Sequence, residues 1–349
     1  MKGILVSSVE EFSGKSSIIV GLGKIFQEMG YEVGYFKPFG VNTVKMGERL
    51  VDEDAQTTAE NLGLDTDATA VVLSSPYIEF ISYADQVELK KIIIEKYTEL
   101  SKGKEIMLVE GSQDYKTGRA VGISDFNIAE MLNLKVLMVA KYTNDYVIDK
   151  LINSKDIFRE RLKKVIINQL TGYKTTYIQA IAGRVLKDIG IDVVGVLPKD
   201  PILAGVFVNE IKKELNGEFL VKPDKDVIIE HLIIGAMSPQ SALRYFRETK
   251  NAALITGGDR TDLLVVALES KNIECLILTG NLEPEEVIIK KAEERKVPVI
   301  IVSEDTLTTM DRLKELFGKA RLRGEEKVKR IVNLVKTYVN VKDILEYIS

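Results

Sequence analysis

A short group of residues near the start of the chain has the composition of a phosphate-binding loop. Gly14, Lys15 and Ser16 lie between an apolar run at residues 3–6 and an amphipathic helical pattern. A glycine turn at such a junction directs backbone N–H groups and a helix N-terminus toward an anion. The lysine adds a positive charge for the β- and γ-phosphates, and the serine hydroxyl is a ligand for Mg²⁺. We therefore predict that a nucleotide, ATP in the first instance, binds at Ser13, Gly14, Lys15, Ser16 and Ser17.

The first half of this loop departs from the standard spacing. The usual pattern has a glycine at position 9, where this chain has Val9. Glu10 and Glu11 follow, and they place negative charge beside a bound polyphosphate unless their side chains point away. The loop is thus predicted to be a nucleotide site in which one defining residue is replaced.

Two acidic residues and a second lysine stand where they would complete such a site. Glu110 directly follows the apolar run 106–109, and Lys37 ends the second predicted strand. Because the carboxyl ends of parallel strands face the ligand crevice, Glu110 and Asp54 are candidate Mg²⁺ ligands together with Ser16. Lys37 is a candidate catalytic cation for a phosphoryl group in transfer. Each has a structural alternative, since Asp52 and Asp54 could cap or flank a helix, Glu110 could be a solvated carboxylate and Lys37 a surface lysine.

The elements that would position these residues alternate between short apolar strands and helical patterns. In the first half, up to about residue 225, strands are predicted at 3–6, 32–36, 105–109, 135–140, 164–168 and 192–197. Helices are predicted before Gly30 and at 82–100 and 175–187. This alternation predicts an α/β fold with a doubly wound, mainly parallel sheet carrying the phosphate-binding loop.

A polar segment at 222–226 is a candidate linker, so the predicted domains are 1–225 and 226–349. The second is predicted to be a smaller α/β domain. Its predicted strands are 252–255, 275–278 and 297–302, and its predicted helices are 238–249, 262–271, 283–295 and 306–317. A further helical segment at 325–348 could pack on either domain or on a partner.

A glycine turn in the second domain is a candidate ligand site. Gly257 and Gly258 permit close approach of the backbone, and Asp259 or Thr261 could cap the helix that follows. Arg260, together with the helix N-terminus, could bind an anion. The alternative is a structural one, with a helix cap and an ion pair between Arg260 and a carboxylate.

Composition excludes several classes of protein. The 349 residues are 45% hydrophobic, carry a net charge of −4 and include one cysteine. Acidic and basic residues are interspersed, so no nucleic-acid or membrane surface is expected. A single cysteine excludes an internal disulfide and a cysteine cluster for metal. No apolar run is long enough for a membrane span. We expect a cytoplasmic protein.

Several segments resemble dethiobiotin synthetase, in which five residues separate the first glycine of the loop from Gly-Lys-Thr. Ser8 stands at the position of that glycine. Four further segments match the family's pattern, at residues 34–38, 54–55, 109–111 and 195–198. The resemblance implies that Lys15 and Ser16 hold a nucleotide, with Mg²⁺ near Asp54 and Glu110.

The same resemblance assigns roles to two more residues. It implies that Lys37 lies near the γ-phosphate. Asn168, which follows the apolar run 165–167, matches the family's asparagine near the nucleotide base. The alternative for Asn168 is a polar residue that caps a strand end.

A second resemblance extends over nearly the whole chain. Residues 127–134 and 197–203 are similar to the N-terminal region of long bacterial phosphotransacetylases, in which a dethiobiotin-synthetase-like domain precedes a DRTGG domain. Residues 235–238 and 255–262, including Asp259-Arg260-Thr261, resemble the DRTGG domain. In that family the region is regulatory and the acetyl-transfer domain follows it, so acetyltransferase activity is not expected here.

The leading interpretation is a cytoplasmic regulatory or sensing protein that binds ATP and Mg²⁺, forms homo-oligomers and has an acetyl-transfer or other metabolic enzyme as a candidate partner. A second interpretation is an ATP-dependent ligase or carboxylase of the dethiobiotin-synthetase type, acting on a small carboxylate or amine. The altered loop after Glu110 and the acidic pair Glu10 and Glu11 count against the second. A third is a structural partner of a separate acetyl-transfer subunit.

Overall fold

The computed structural model describes residues 1–64, 67–171 and 175–349. These residues form two compact units. The first unit combines Met1–Asp200 with Leu322–Ser349, and the second is Pro201–Arg321. Among the described helices, none is both long and apolar enough to cross a lipid bilayer.

The strands of the first unit are short, and all except those of the hairpin β3–β4 are largely buried. They are β1 (Lys2–Ser8), β2 (Val33–Gly40), β3 (Thr43–Met46), β4 (Arg49–Asp52), β5 (Thr69–Val72), β6 (Ile106–Glu110), β7 (Lys135–Lys141), β8 (Leu162–Leu170) and β9 (Asp192–Pro198). Its first helices are α1 (Lys15–Glu28), α2 (Glu53–Leu62), α3 (Tyr77–Tyr83), α4 (Gln86–Leu100), α5 (Asp125–Met131), α6 (Val147–Phe158) and α7 (Thr175–Asp188).

Seven of these strands form one parallel sheet of order β5-β2-β6-β1-β7-β8-β9. Strand β1 is central, with Leu5 paired with Val109 of β6 on one side and Val136 of β7 on the other. One face packs on helices α4 to α7, whose apolar residues join a single cluster with Leu5 and Val109. Helix α1 lies on the other face, where a Cβ at Gly23 would meet Leu108 at 3.2 Å. The predicted doubly wound α/β fold is confirmed.

The second unit is a smaller α/β unit. Its strands are β10 (Val206–Phe207), β11 (Glu218–Val221), β12 (Ile228–Ile229), β13 (His231–Ile234), β14 (Ala252–Gly257), β15 (Ile273–Thr279) and β16 (Val299–Ile301). Its helices are α8 (Pro201–Ala204), α9 (Val208–Glu214), α10 (Pro239–Glu248), α11 (Thr261–Glu269), α12 (Glu286–Arg295) and α13 (Thr306–Gly318).

The main sheet of the second unit has the order β11-β16-β15-β14-β13. The last four strands are parallel, and β11 is an antiparallel edge strand. Apolar side chains alternate along each strand, so Leu254 and Leu276 face helices α10 to α12 while Ile255 and Ile277 face α9 and α13.

The structure corrects the predicted domain boundary. The polar segment 222–226 is a loop inside the second unit, because β11 before it pairs with β16 and β12 after it pairs with β10. The polar composition of this segment correctly indicated a loop. The boundary between the two units, however, lies between Asp200 and Pro201. The two-domain prediction 1–225 and 226–349 is therefore replaced by a first unit into which the second is inserted.

The C-terminal helical segment belongs to the first unit. It consists of α14 (Glu325–Tyr338) and α15 (Val341–Ile348). Helix α14 packs on α1, where a Cβ at Gly21 would lie 2.6 Å from Val335 Cγ2. The N–H of Asn340 donates to the backbone oxygen of Val194 in β9 at 2.7 Å. Because of these contacts, the C-terminal residues belong to the first unit and not to the predicted second domain.

Candidate functional site

The loop between β1 and α1 has the backbone turn that phosphate-binding loops use. Gly14 has a φ of 88°, in the left-handed region. A Cβ atom there would lie 2.4 Å from Nδ2 of Asn168, so both backbone conformation and space favour glycine. In the part of the chain that the structure describes, no side chain caps α1, which begins at Lys15. The first N–H groups of this helix therefore remain available to an anion.

The ammonium group of Lys15 is folded back onto its own loop. Its Nζ donates hydrogen bonds to Ser8 Oγ at 2.7 Å and to the backbone oxygen of Gln113 at 2.8 Å. Burial lowers the pKa of Lys15, and attraction to Asp125 and Glu110 offsets part of this effect. Both direct partners are neutral oxygens. A phosphate oxygen would make a stronger, charge-assisted bond in their place.

The hydroxyl of Ser16 contacts the carboxylate that was predicted to share a metal with it. Ser16 Oγ donates to Glu110 Oε1 at 2.9 Å, and the Tyr35 hydroxyl donates to Oε2 at 2.8 Å. Glu110 ends β6, beside β1 in the middle of the sheet. Burial, reinforced by Glu110, raises the pKa of Tyr35 well above its ordinary value, so the phenol remains a donor.

Lys37 is buried among three carboxylates. Its Nζ lies 2.9 Å from Asp52 Oδ1, 3.6 Å from Glu110 Oε1 and 3.9 Å from Asp54 Oδ2. Burial alone would lower the pKa of Lys37, but attraction to Glu110, Asp52 and Asp54 outweighs burial and raises it. The structure thus brings Lys37, Asp54 and Glu110 together, and the interpretation of Lys37 as a surface lysine is wrong.

Asp52 serves two elements at once. Its Oδ1 accepts the N–H of Ala55 and so caps α2, and the same oxygen accepts from Lys37. Asp54 lies one residue into that helix and its Oδ2 accepts from Asn42 Nδ2 at 3.3 Å. The capping alternative holds for Asp52, which leaves Asp54 as the carboxylate at the edge of the cluster.

Asp125 fixes the segment that follows Glu110. It is fully buried, accepts from Ser7 Oγ, and accepts from the N–H of Ser112 at 3.0 Å. Burial raises the pKa of Asp125 to about 6, against the lowering effect of these hydrogen bonds. A Cβ at Gly111 would lie 2.0 Å from its Oδ2, so glycine allows this close approach.

Asn168 and Glu10 both stabilise the loop. Asn168 Nδ2 donates to the backbone oxygen of Ser13 at 2.9 Å. Ser13 in turn donates through Oγ to the backbone oxygen of Glu10 at 2.7 Å. The carboxylate of Glu10 forms a 2.8 Å ion pair with Lys150, which neutralises one of the two acidic residues beside the loop. Ser17 is half-buried in the first turn of α1.

The glycine pair of the second unit makes a tight backbone contact. A Cβ at Gly258 would lie 1.8 Å from the backbone oxygen of Leu282, and one at Gly257 would lie 2.4 Å from Asp259 Oδ1. Neither Asp259 nor Thr261 caps α11, because its N-cap residue is Arg260 and no side-chain bond caps it among the described residues.

Arg260 makes the contacts of the structural alternative, in which it pairs with a carboxylate. Its Nε donates to Asp262 Oδ1 at 3.0 Å. Its Nη atoms donate to the backbone oxygens of Gly235 at 3.3 Å and Met237 at 3.1 Å. The guanidinium thus joins the loops after β13 and β14. Anion binding by Gly257, Gly258, Asp259 and Arg260 stays a prediction.

Three residues of the first site were missed in the sequence: Tyr35, Asp125 and the backbone of Gln113. A signal existed for Tyr35, since residues two apart in a strand share a face and Lys37 was already a candidate. None existed for Asp125, whose partner Ser7 lies 118 residues away. Within the described residues, no group of three or more His, Cys, Asp and Glu side chains is arranged to hold a metal alone.

Comparison with family models gives two matches. The model described as an AAA domain matches residues 2–206. The model described as a DRTGG domain matches residues 210–316. The predicted succession of a phosphate-loop domain and a DRTGG domain is confirmed.

Curated relatives point in the same direction. The chain is 27% identical to a phosphate acetyltransferase of Synechocystis over 99% of this chain and 52% of that protein. It is 25% identical to that of Nitratidesulfovibrio vulgaris over 98% of this chain and 51% of that protein. The chain therefore spans about half the length of these relatives. The predicted relation to phosphotransacetylases is confirmed.

A solved structure resembles part of the chain. The CBS and DRTGG domains of the regulatory region of Clostridium perfringens pyrophosphatase, complexed with its activator diadenosine tetraphosphate, are 17% identical. The match covers 47% of this chain and 79% of that one, with a TM-score of 0.29.

Proposed function

This chain belongs to the AAA domain family over residues 2–206, and from that premise we propose that it is a regulatory protein that binds ATP with Mg²⁺. The observation that carries the proposal is the convergence of Lys15, Ser16 and Glu110 at the uncapped N-terminus of α1. Backbone N–H groups, an ammonium group and an adjacent hydroxyl–carboxylate pair are the groups that bind a nucleoside triphosphate.

The donor set fits Mg²⁺. This ion prefers oxygen ligands, and the Ser16 hydroxyl and Glu110 carboxylate are in direct contact at 2.9 Å. Asp54 Oδ2 and Glu110 Oε1 lie 3.9 Å and 3.6 Å from the same atom, Lys37 Nζ, so oxygens of two carboxylates are close together at this site. Ser16, Glu110 and Asp54 would hold the ion, and it would neutralise charge on the β- and γ-phosphates.

Calorimetric titration with Mg-ATP tests this proposal. We expect the Lys15→Ala variant to bind at least about tenfold more weakly, because a charge-assisted contact to phosphate is lost. Lys24→Ala, on the same helix and only half-buried, is the matched control and should bind like the wild type. Absence of binding in the wild type, or equal affinity in Lys15→Ala, would contradict the proposal.

Steady release of ADP distinguishes this function from an ATP-dependent ligase or carboxylase. The ammonium of Lys37 is held at 2.9 Å by Asp52, which restrains it from following a phosphoryl group in transfer. We therefore expect no ADP release above background in the presence of small carboxylates or amines. Turnover that depends on one such acid or amine, and is lost in Lys37→Met, would favour the enzyme instead.

The proposed partner of this protein is inferred from the phosphate acetyltransferases that it resembles. Phosphate acetyltransferases of about twice this length match nearly the whole chain. We therefore propose an acetyl-transfer or related metabolic enzyme as the partner of this protein. We also propose that the protein forms homo-oligomers and is located in the cytoplasm. Light scattering of the pure protein, with and without Mg-ATP, measures the oligomeric state. Co-purification of such an enzyme with the tagged chain, reduced in Lys15→Ala, is the expected result.

A further inference from the structure

The two oxygens of the Glu110 carboxylate have different partners. Oε1 accepts from Ser16 Oγ at 2.9 Å and lies 3.6 Å from Lys37 Nζ, so it faces the phosphate-binding loop and the candidate metal ligands. Oε2 accepts from the Tyr35 hydroxyl at 2.8 Å. Only 2% of the Glu110 side chain is exposed, so groups of the protein rather than bulk water set the orientation of its carboxylate.

Strand register places Tyr35 further from the ligand-binding edge of the sheet than Glu110. Strands β2 and β6 are parallel, and Tyr35 pairs with Leu108, two residues before Glu110 at the carboxyl end of β6. Residues two apart in a strand share a face, so Tyr35 and Lys37 lie on the same face as Glu110. The phenol therefore reaches Glu110 from the interior of the sheet, whereas a nucleotide approaches from the carboxyl edge.

The hydroxyl of Tyr35 is a fixed donor. The Tyr35 side chain is fully buried on a strand that is hydrogen-bonded to β5 on one side and to β6 on the other. An aromatic side chain packed to core density stays in one rotamer. Loss of its bond to Oε2 would leave a buried hydroxyl and a buried carboxylate with one partner fewer, which is unfavourable. We therefore expect this bond to persist when a cation approaches Oε1.

A carboxylate held in this way offers a cation one oxygen rather than two. Mg²⁺ demands near-ideal octahedral geometry and is usually bound by one or two carboxylates together with water and substrate phosphates. Ca²⁺ is larger, takes more oxygen ligands in a flexible geometry and often binds both oxygens of one carboxylate. Rotation of Glu110 to direct Oε2 toward a cation beside Ser16 would break its bond to Tyr35. This arrangement favours the smaller ion.

We propose that Tyr35 is a positioning residue that restricts Glu110 to one metal-facing oxygen and thereby makes the nucleotide site selective for Mg²⁺ over Ca²⁺. The inference rests on the proposed function, because it concerns the metal ion of that site. Tyr35 exerts this role through Glu110 and not by contact with the ligand. Removal of such an outer partner of a metal ligand usually changes metal affinity by about 10- to 100-fold.

Calorimetric titration of the full chain with Mg-ATP, with Ca-ATP and with ATP in EDTA tests the proposal. We expect the wild type to bind Mg-ATP more tightly than Ca-ATP. In Tyr35→Phe the released Oε2 permits contact through both oxygens, so the preference for Mg-ATP should fall by about tenfold. Affinity for metal-free ATP should stay within about twofold of the wild type, because Lys15 and the N-terminus of α1 are unchanged. Tyr97→Phe removes a hydroxyl from a buried tyrosine of α4, on the other face of the sheet, and should bind all three ligands like the wild type.

The outcomes separate this inference from the proposed function and from a purely structural role. Equal affinity of the wild type for Mg-ATP and Ca-ATP overturns the selectivity without any variant. An unchanged ratio of the two affinities in Tyr35→Phe overturns the role of Tyr35 and leaves the nucleotide site standing. An equal loss of affinity for all three ligands, with a lowered urea midpoint, shows that the hydroxyl only stabilises the fold and also overturns it. If the wild type binds none of the three, the proposed function fails and this inference fails with it.

Discussion

The ammonium group of Lys37 is the only cation within ion-pair distance of three carboxylates in the described part of the first site. Its removal leaves Asp52 and Glu110 buried without their counter-charge. An uncompensated buried charge is costly, whereas removal of both partners of a pair costs much less. Lys37 therefore stabilises the fold whether or not it contacts a phosphate.

We predict that Lys37→Met lowers the free energy of unfolding by about 3 to 5 kcal/mol. The double variant Lys37→Met/Asp52→Asn should recover part of this loss, because the amide oxygen can still cap α2 at Ala55. Urea titrations of the three proteins provide the measurement. A Lys37→Met protein as stable as the wild type would show that the carboxylates are not stabilised by this lysine.

Asp125 gives a prediction for pH. Its pKa rises from 3.8 in the unfolded chain to about 6 in the fold, chiefly through burial. The folded state thus binds a proton more tightly than the unfolded state, so stability falls as pH rises from about 4 to about 6 and is constant beyond. Two pKa units correspond to about 3 kcal/mol. In Asp125→Asn this penalty is absent.

The measurement is the free energy of unfolding of Asp125→Asn minus that of the wild type, followed from pH 4 to pH 7. This difference cancels other titrating groups and should increase with pH up to about 6, by an amount on the order of the shift. The amide can keep both contacts, to Ser7 and to the N–H of Ser112. A difference that does not vary with pH would mean that Asp125 is not the titrating group.

At the scale of elements, the contact between α1 and α14 depends on a residue without a side chain. A Cβ at Gly21 would lie 2.6 Å from Val335 Cγ2 and 3.3 Å from its Cβ, both on a stiff β-branched side chain. Helix propensity favours alanine over glycine, so the sign of the effect depends on this packing.

We expect Gly21→Ala to destabilise the first unit by about 1 to 3 kcal/mol, the usual cost of overpacking. Gly183→Ala is the matched control in α7, where a Cβ would meet nothing within 4 Å, and it should stabilise by up to about 1 kcal/mol. Val335→Ala should rescue Gly21→Ala in a double-mutant cycle. Stabilisation by Gly21→Ala would show that α14 does not pack on α1 here.

Elements with strong local signals were predictable. The six predicted strands of the first half all occur, and α1 begins at the predicted Gly-Lys-Ser triplet. The hairpin of β3 and β4 was not predicted, because its strands have four residues each, half of them exposed, and lack an apolar run. The predicted helix at 82–100 occurs as α4, which begins at Gln86, and the predicted helical segment 325–348 comprises α14 and α15, separated by a short turn that periodicity alone does not show.

Site residues, like elements, were predictable where their signal is local in the sequence. Gly14, Lys15 and Ser16 lie together in sequence, and their role is readable there. Asp52 and Tyr35 act through contacts with Lys37 and Glu110 that only the folded sheet creates. Local chemistry was therefore predictable, and the charge balance around it was not.

On the scale of the whole molecule, the first unit is formed by two separate parts of the chain. Residues 322–349 supply α14 and α15, which bury Ile331, Val335 and Ile344 in that unit. The assignment of residues 222–226 as a linker placed residues 322–349 in the wrong domain. Sequence polarity indicates where loops lie, but it does not indicate which segments share a hydrophobic core.

We predict that residues 201–321, expressed alone, fold with a cooperative urea transition, since this unit has its own sheet and apolar clusters. Residues 1–200 alone should lose that cooperativity, and supplying residues 322–349 as a separate peptide should restore it. Circular dichroism during urea titration measures both. A cooperative transition of residues 1–200 without the peptide would contradict this prediction.

The insertion of the second unit also sets an order of events on the ribosome. Residues 1–200 emerge first, yet the helix that covers α1 is translated only after the second unit is complete. Domains usually fold from the N-terminus as they are synthesised, and here the later unit can finish before the earlier one. Until translation reaches α14, the face of α1 around Gly21 that α14 covers stays exposed on the nascent chain.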